Sequence, residues 1–313
     1  MSIEPLARTY GLSSIIATVE DIGRLDEALS GVRLIVNAAG PFSQTAGEIA
    51  AKAIEHGIDY VDVGGEIDVL THLFGLHSLA AASGSRILPS CAFQIVPSDA
   101  IAAYLHERMP EATTIEVALD ATTRPAPGTL KASLNVIAGG GLAVRDGALV
   151  TADLGATGPT IPFHDGSRTT FLSPLADLVT IGQRTGVANI SSYLAHPRGT
   201  AKFSAAIPPA SRLLRIEPVR NLASWAIPRL VKPPTERPRD AGSFWGRAID
   251  DKGNTQEAWL RTGPPYKYSA RAVVAAIEEL QSLSHPGGTY TPSTLFGTAF
   301  AESIEGEKIQ EAL

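Results

Sequence analysis

The sequence predicts an α/β protein in which a doubly wound parallel sheet is followed by an α+β domain with antiparallel strands. Three observations carry this reading. Short apolar runs alternate with amphipathic helical patterns through the first third of the chain, the signature of βαβ units. The apolar run at 32–36 points side chains to both faces, as in a sheet covered on both sides. From Ile115 the pattern changes, with Ile115, Val117 and Leu119 alternating with polar or small residues, as in a strand with one solvated face.

The elements follow in order. Residues 13–17 form a short apolar run in strand position, and Thr18 can cap a helix whose Ile22, Leu25 and Leu29 share one face until Gly31 stops it. The strand at 32–36 leads to Thr45-Ala46-Gly47-Glu48, a capping box expected to open a helix ending at His56-Gly57. A strand at 60–63, a helix over 66–82, a strand at 86–88 and a helix from Ser98 to just before Pro110 complete the first domain, 1–112. The second domain, 113–268, contains a helix at 129–137 broken by Gly139-Gly140-Gly141, and a hairpin turn at Asp251-Lys252-Gly253-Asn254. A helix at 269–283, with Val273, Val274, Ile277 and Leu280 on one face, opens a C-terminal segment, 269–313, expected to pack back on the first domain.

Composition excludes several functions. With 313 residues, 44% hydrophobic and 19% charged, the chain can bury a large core and favours two domains. A net charge of −6 with no long Lys/Arg run argues against a nucleic-acid partner. One cysteine, Cys91, precludes an internal disulfide and favours a reducing compartment, and no Cys/His cluster has zinc spacing. No secretory signal or membrane span is legible, so a cytoplasmic protein is expected. The stretch 211–232 interleaves Leu213, Leu214, Ile216, Val219, Leu222, Trp225, Ile227 and Leu230 with Arg212, Arg215, Arg220 and Arg229, and Pro233-Pro234 ends it. Two short helices packed on the second domain are the preferred reading; the other is an interfacial or lid element with weak peripheral membrane association.

Strand ends concentrate the chemistry. In a doubly wound sheet, ligands sit at the carboxyl ends of strands. After the strand at 32–36 comes Asn37-Ala38-Ala39-Gly40-Pro41-Phe42, after the next Asp59-Tyr60-Val61-Asp62-Val63-Gly64-Gly65-Glu66, and after the third Cys91-Ala92-Phe93-Gln94-Ile95-Val96-Pro97-Ser98-Asp99. Small side chains there let a ligand approach the backbone, and Asn37 can hydrogen-bond to it; a tight βα turn with no ligand is the plainer alternative. Taken together and in order, the three motifs resemble those of the saccharopine-dehydrogenase-like oxidoreductases, including their trans-acting enoyl reductase branch. Gly128-Thr129 with Ser133, Tyr268-Ser269-Ala270, and Gly287 to Ser293 with Phe296-Gly297 extend the resemblance to the end of the chain. Ala92 and Gln94 stand where the family usually has Gly and Asp.

The resemblance implies a Rossmann-type domain, NAD or NADP as cofactor, and hydride transfer on an amino-acid, imine or enoyl substrate. It also implies an incomplete sheet. The family opens with a strand, a Gly-x-x-Gly-x-x-Gly loop that meets the phosphates, and a second strand, whereas Gly11 and Gly23 are the only glycines before Gly31 here. In the usual 3-2-1-4-5-6 order, losing the first strand splits the sheet and exposes strand edges. Either the start lies downstream of the true one, or the chain is a truncated, cofactor-free paralogue acting as an interaction protein. Expected cofactor contacts are Asn37, Ala38, Ala39, Gly40, Pro41, Gly64, Gly65 and Glu66; substrate-side candidates are Cys91, Phe93, Ser98 and Asp99. Glu66 can accept a ribose hydroxyl or substrate amine, or serve a helix N-terminus. Ser98 and Asp99 are read as helix caps, Cys91 as a small buried side chain, and Tyr193 and Tyr266 as candidate proton donors. No catalytic residue is assigned and no metal is expected. A homodimer is the expected assembly.

Overall fold

The computed structural model describes residues 4–18, 21–121, 123, 125–197, 207–232, 235, 240–282, 284–305 and 307–311. Pro233-Pro234 and residue 283, the expected ends of two segments, lie outside them. The chain opens with α1 (Glu4–Thr9) and α2 (Ile22–Leu29). The apolar run between them is not a strand: residues 12–18 take no regular structure and Ile16 is 69% exposed. Its composition suits a strand, but among the described residues no neighbour offers the hydrogen bonds a ladder needs. Nor does Thr18 cap α2; Asp21 does, its carboxylate accepting from Arg24 N at 3.3 Å.

The first sheet is built from β1 (Leu34–Asn37), α3 (Phe42–His56), β2 (Asp59–Asp62), α4 (Ile67–Gly75), α5 (His77–Ser83), β3 (Arg86–Leu88) and α6 (Ile95–Arg108). Its strands run parallel, with Ile35 opposite Tyr60 and Val61 opposite Leu88. Three expectations need correction. The box at Thr45 does not start α3, which begins at Phe42 behind Pro41, because the Thr45 hydroxyl is engaged as a donor to Ala39 O at 2.7 Å. The helix expected at 66–82 breaks at Leu76 into α4 and α5. Ser98 does not start α6; it lies one turn inside, its hydroxyl donating to Gln94 O at 2.8 Å.

The second sheet takes β4 (Thr114–Ala121), then α7 (Pro127–Gly139), β5 (Gly141–Arg145), β6 (Ala148–Ala152), β7 (Thr157–Phe163), β8 (Gly166–Leu172), α8 (Asp177–Thr185) and β9 (Asn189–Ala195). After α9 (Ile207–Leu214) and α10 (Glu217–Leu230) come β10 (Gly242–Ile249) and β11 (Thr255–Thr262), joined by a hairpin at the expected turn. Then follow α11 (Pro265–Ser282), β12 (Gly288–Thr289), α12 (Pro292–Phe296), α13 (Ala299–Glu305) and β13 (Gln310–Glu311). The order is β13-β11-β10-β4-β9-β5-β6, with β8 linking β7 to β9; the pairs are antiparallel except β4 with β9. β12 leaves this sheet and returns to the first, pairing in parallel with β3 to give the order β1-β2-β3-β12.

One core joins the two sheets. Val61 and Leu88 of the first meet Ile115, Val117 and Phe244 of the second through Ile101 and Leu105 of α6 and the Tyr268, Ala272, Ala276 and Leu280 face of α11. Packing there is tight enough that a Cβ on Gly246 would collide with Ile101. β1, by contrast, pairs only with β2 among the described residues, and its Val36 is exposed.

Candidate active site

Parallel pairing puts the carboxyl ends of β1, β2 and β3 on one edge of the first sheet, where the crevice of a doubly wound sheet lies, and the turns that leave the strands gather there. Ala38, Ala39, Gly40 and Pro41 line it as an exposed run of small residues, faced by exposed Gly65. Asn37 does not reach out into it. Buried to 3%, it donates through Nδ2 to Tyr60 Oη (3.1 Å) and Thr45 Oγ1 (3.3 Å), while its Oδ1 accepts from Ala39 N (3.0 Å). Its role is to hold the turn that presents the small residues.

Beneath the crevice lies a residue that the sequence reading passed over. Asp62 is 1% exposed, and its Oδ1 accepts from Gly64 N at 2.9 Å and Ser90 N at 2.7 Å, while Oδ2 accepts from Tyr60 Oη at 2.8 Å. Burial pushes its pKa up, and the hydrogen bonds from Ser90, Gly64 and Tyr60 pull the other way. Ser90 adopts a left-handed φ of 57° to aim its N–H there. Gly64 fits closely here: a Cβ would stand 3.1 Å from the Phe42 ring and 3.2 Å from Asp62 Oδ1. The signal was available: Tyr60 and Asp62 are polar groups two apart, on one face of the strand and buried with Val61 between them.

Glu66 serves a helix N-terminus, though not that of its own helix. Its carboxylate accepts from Phe42 N at 3.0 Å and Ser43 N at 3.2 Å, filling the first turn of α3 across the crevice. The third turn is mostly interior. Cys91 is fully buried, its Sγ 3.7 Å from Ala272 O, and burial pushes the thiol pKa up, as for a small interior side chain. Phe93 packs edge-on against Phe244 and Tyr268, and its N–H donates to Ser269 Oγ at 3.0 Å. Asp99 does not cap α6; its Oδ2 accepts from Ser293 N at 2.6 Å in the first turn of α12, whose N-cap is Thr291, with burial raising the Asp99 pKa to about 6.

Gln94, standing where the family has Asp, donates through Nε2 to Asp177 Oδ2 at 3.0 Å. Asp177 is 1% exposed and comes from the start of α8. The two line a narrow recess with Ser98, Leu119, Leu175 and Phe244, so a carboxylate reaches this turn from another element. Nothing in local sequence could have announced a partner that far along the chain. The two tyrosines lie elsewhere: Tyr193 donates to Glu116 Oε1 at 3.0 Å and packs with Trp245, its pKa raised to about 12 by burial. Tyr266 accepts from Ala126 N at 2.6 Å at the start of α7. Among the described residues, no group of His, Cys, Asp and Glu is disposed to hold a metal ion.

A parallel α/β sheet with its crevice at the carboxyl edge, joined to a largely antiparallel second sheet, defines a Rossmann-type protein of the saccharopine dehydrogenase fold. Saccharopine dehydrogenase (L-Glu forming) from Saccharomyces cerevisiae superposes with a TM-score of 0.63 at 12% identity, over 99% of this chain and 91% of that one. Homospermidine synthase from Legionella pneumophila, solved in complex with NAD, gives 0.60 at 11% identity, over 98% and 82%. In sequence the chain is similar to trans-acting enoyl reductases and to a saccharopine dehydrogenase-like oxidoreductase from Arabidopsis thaliana. The Mycobacterium ulcerans trans-acting enoyl reductase is 30% identical over 115 residues, 36% of this chain and 27% of the relative. The Mycobacterium leprae protein is 33% identical over 93 residues, 29% and 22%. These matches thus span about a quarter of the curated relatives' length. No family profile matches the chain.

Proposed function

We propose that this chain forms the substrate-facing part of an NAD(P)-dependent oxidoreductase, with the nicotinamide side of the cofactor lying over Ala38 to Pro41 and Gly64 to Glu66. The observation that carries the reading is the exposed run of small residues at the shared carboxyl edge, which leaves backbone open to a flat ring. The relatives' names support it, as does the homospermidine synthase solved with NAD. An amino-acid, imine or enoyl compound is the proposed substrate, reached from the side of the second sheet. When bound, the cofactor supplies the hydride chemistry. The chain's own residues shape the site: Asn37 and Asp62 fix the turns, and Phe93 and Gln94 form the wall toward the second sheet.

The residues present fit only half of such a cofactor. The N–H groups of Phe42 and Ser43, the donors a phosphate would take at α3, are held by Glu66. Gly11 follows α1 and Gly23 lies within α2, so neither opens a helix after a strand. The chain should therefore bind reduced nicotinamide mononucleotide weakly and NADPH no more tightly, since the second half finds no free helix-terminal donors at this edge among the described residues. Titration followed by nicotinamide fluorescence checks this, with Ala39→Phe expected to abolish both signals. Tight, saturable NADPH binding would show that phosphate donors exist; binding of the mononucleotide that Ala39→Phe leaves unchanged would refute the crevice. The same filled helix terminus favours a second reading, a cofactor-free interaction protein, and the absence of any nicotinamide signal selects it.

A further inference from the structure

We propose that the outward face of α9 and α10 is a docking surface for anionic lipid bilayers. α9 and α10 pack on α7, and Ser211 Oγ donates to Ile137 O at 2.7 Å to fix the pair there. α10 half-buries Val219, Ala226 and Ile227 but leaves Leu222 at 64% and Trp225 at 57% exposure, with Pro218 and Arg229 on the same side. α9 adds exposed Arg212 and Leu213, and Ile216 is exposed in the link. Residues this apolar on the free side of a two-helix layer are not explained by packing among the described residues.

Charge selects the occupant. Between 207 and 232 there are five basic residues, Arg212, Arg215, Arg220, Arg229 and Lys232, against one acidic residue, Glu217, in a chain whose net charge is −6. The positive sign is thus local to the segment that exposes Leu222 and Trp225. The Arg229 guanidinium lies 4.0 Å from the Trp225 ring centroid and donates to Trp225 O at 2.6 Å. Indole and guanidinium are thereby stacked as one amphipathic unit of the kind that settles at a headgroup boundary. A second copy of the chain fits poorly, because a twofold contact pairs the patch with itself and sets arginine against arginine. An anionic bilayer satisfies both components at once, taking the apolar side chains into the acyl boundary and the arginines against phosphate. No described helix is long and apolar enough to cross the membrane, so the contact is with the surface alone.

The geometry also gives the contact a direction. α7 begins where Tyr266 of α11 accepts from Ala126 N, one turn from the Ser269 that holds Phe93 at the crevice. The helix layer and the crevice are therefore tied to the same end of α11.

Trp225 supplies its own probe. Of the three tryptophans, Trp245 is buried and Trp259 half-buried, so Trp225 is the one whose emission can change on a surface. The purified chain is mixed with vesicles of phosphatidylcholine alone or with one-third phosphatidylglycerol, following Trp emission and co-sedimentation. The expected result is a blue shift and sedimentation with the anionic vesicles, weakened at least tenfold by high salt. The double variant Leu222→Ser, Trp225→Ser should lose sedimentation with an unchanged circular dichroism spectrum, since both residues are exposed. Arg212→Gln with Arg229→Gln should lose the preference for anionic vesicles. Failure to bind anionic vesicles at low salt overturns the proposal, and so does equal binding by the double serine variant. A concentration-dependent dimer that the serine variant abolishes overturns it in favour of self-association.

Discussion

Residues 13–17 and residues 288–289 make an instructive pair. The first segment, Ser-Ser-Ile-Ile-Ala, has the composition of a strand and is none; the second, Gly-Thr, has almost no strand character and closes a sheet. What separates them is the neighbour. β12 finds the free edge of β3, where Gly288 N donates to Ser85 O at 2.8 Å and Tyr290 N to Ile87 O at 3.0 Å. Side chains complete the fit: Thr289 Oγ1 donates to Leu73 O at 3.0 Å and Thr289 N to His77 Nδ1 at 3.1 Å. The apolar segment has no such edge among the described residues and leaves its isoleucines in water. Strand formation is a property of the pair, and propensity alone does not supply the partner.

That contrast can be broken by mutation. The largest effect belongs to Gly287, where a Cβ would run into backbone at Ala80 and Gly84. Gly287→Val should cost about 3 kcal/mol or more by overpacking, whereas Ile16→Thr should stay within about 0.5 kcal/mol. Urea denaturation of the two variants decides it, and comparable losses would mean that 13–17 is packed after all.

The next effect lies in the helix that β12 leads into. Asp99 accepts from the first turn of α12 with a pKa raised by burial from 3.8 to about 6, so the folded state holds the proton more tightly than the unfolded one. Stability should then fall as pH rises from about 4 to 6, by about 3 kcal/mol from this group, and stay reduced above that window. Asp99→Asn should flatten that part of the profile. An unchanged slope would mean that other carboxyl groups set it.

Smaller still, Thr289→Val keeps the shape and removes the bond to Leu73 O, for a loss of about 1 kcal/mol. Hydrogen exchange sharpens the comparison at the other edge. The amides of β1 should exchange faster than those of β2, because β1 has one neighbour and β2 has two. Equal protection would show that the outer edge of β1 is covered.

Much of the fold was legible because β1, β2 and β3 are apolar runs bounded by turn residues, and each lies within two residues of its expected place. Helix starts were harder. Thr45 and Ser98 have the right chemistry for caps, but their hydroxyls are engaged as donors to Ala39 O and Gln94 O, and packing sets the helix ends further upstream. The strand ends pointed to the crevice, while its supports did not show. Asp62 was hidden inside a quoted motif, and Asp177 meets Gln94 only through the packing of α8 on α6.

Asp62 Oδ1 takes hydrogen bonds from Gly64 and Ser90, two loops that follow different strands. One atom therefore makes those loops a single unit for natural selection. A substitution that reshapes either turn must keep an N–H at that oxygen or leave it bare in the interior, so the two cannot drift apart independently. Variation in what the crevice accepts should then accumulate where nothing below is tied to it: at the exposed tip from Ala38 to Pro41, at Gly65, and on the wall supplied by the second sheet.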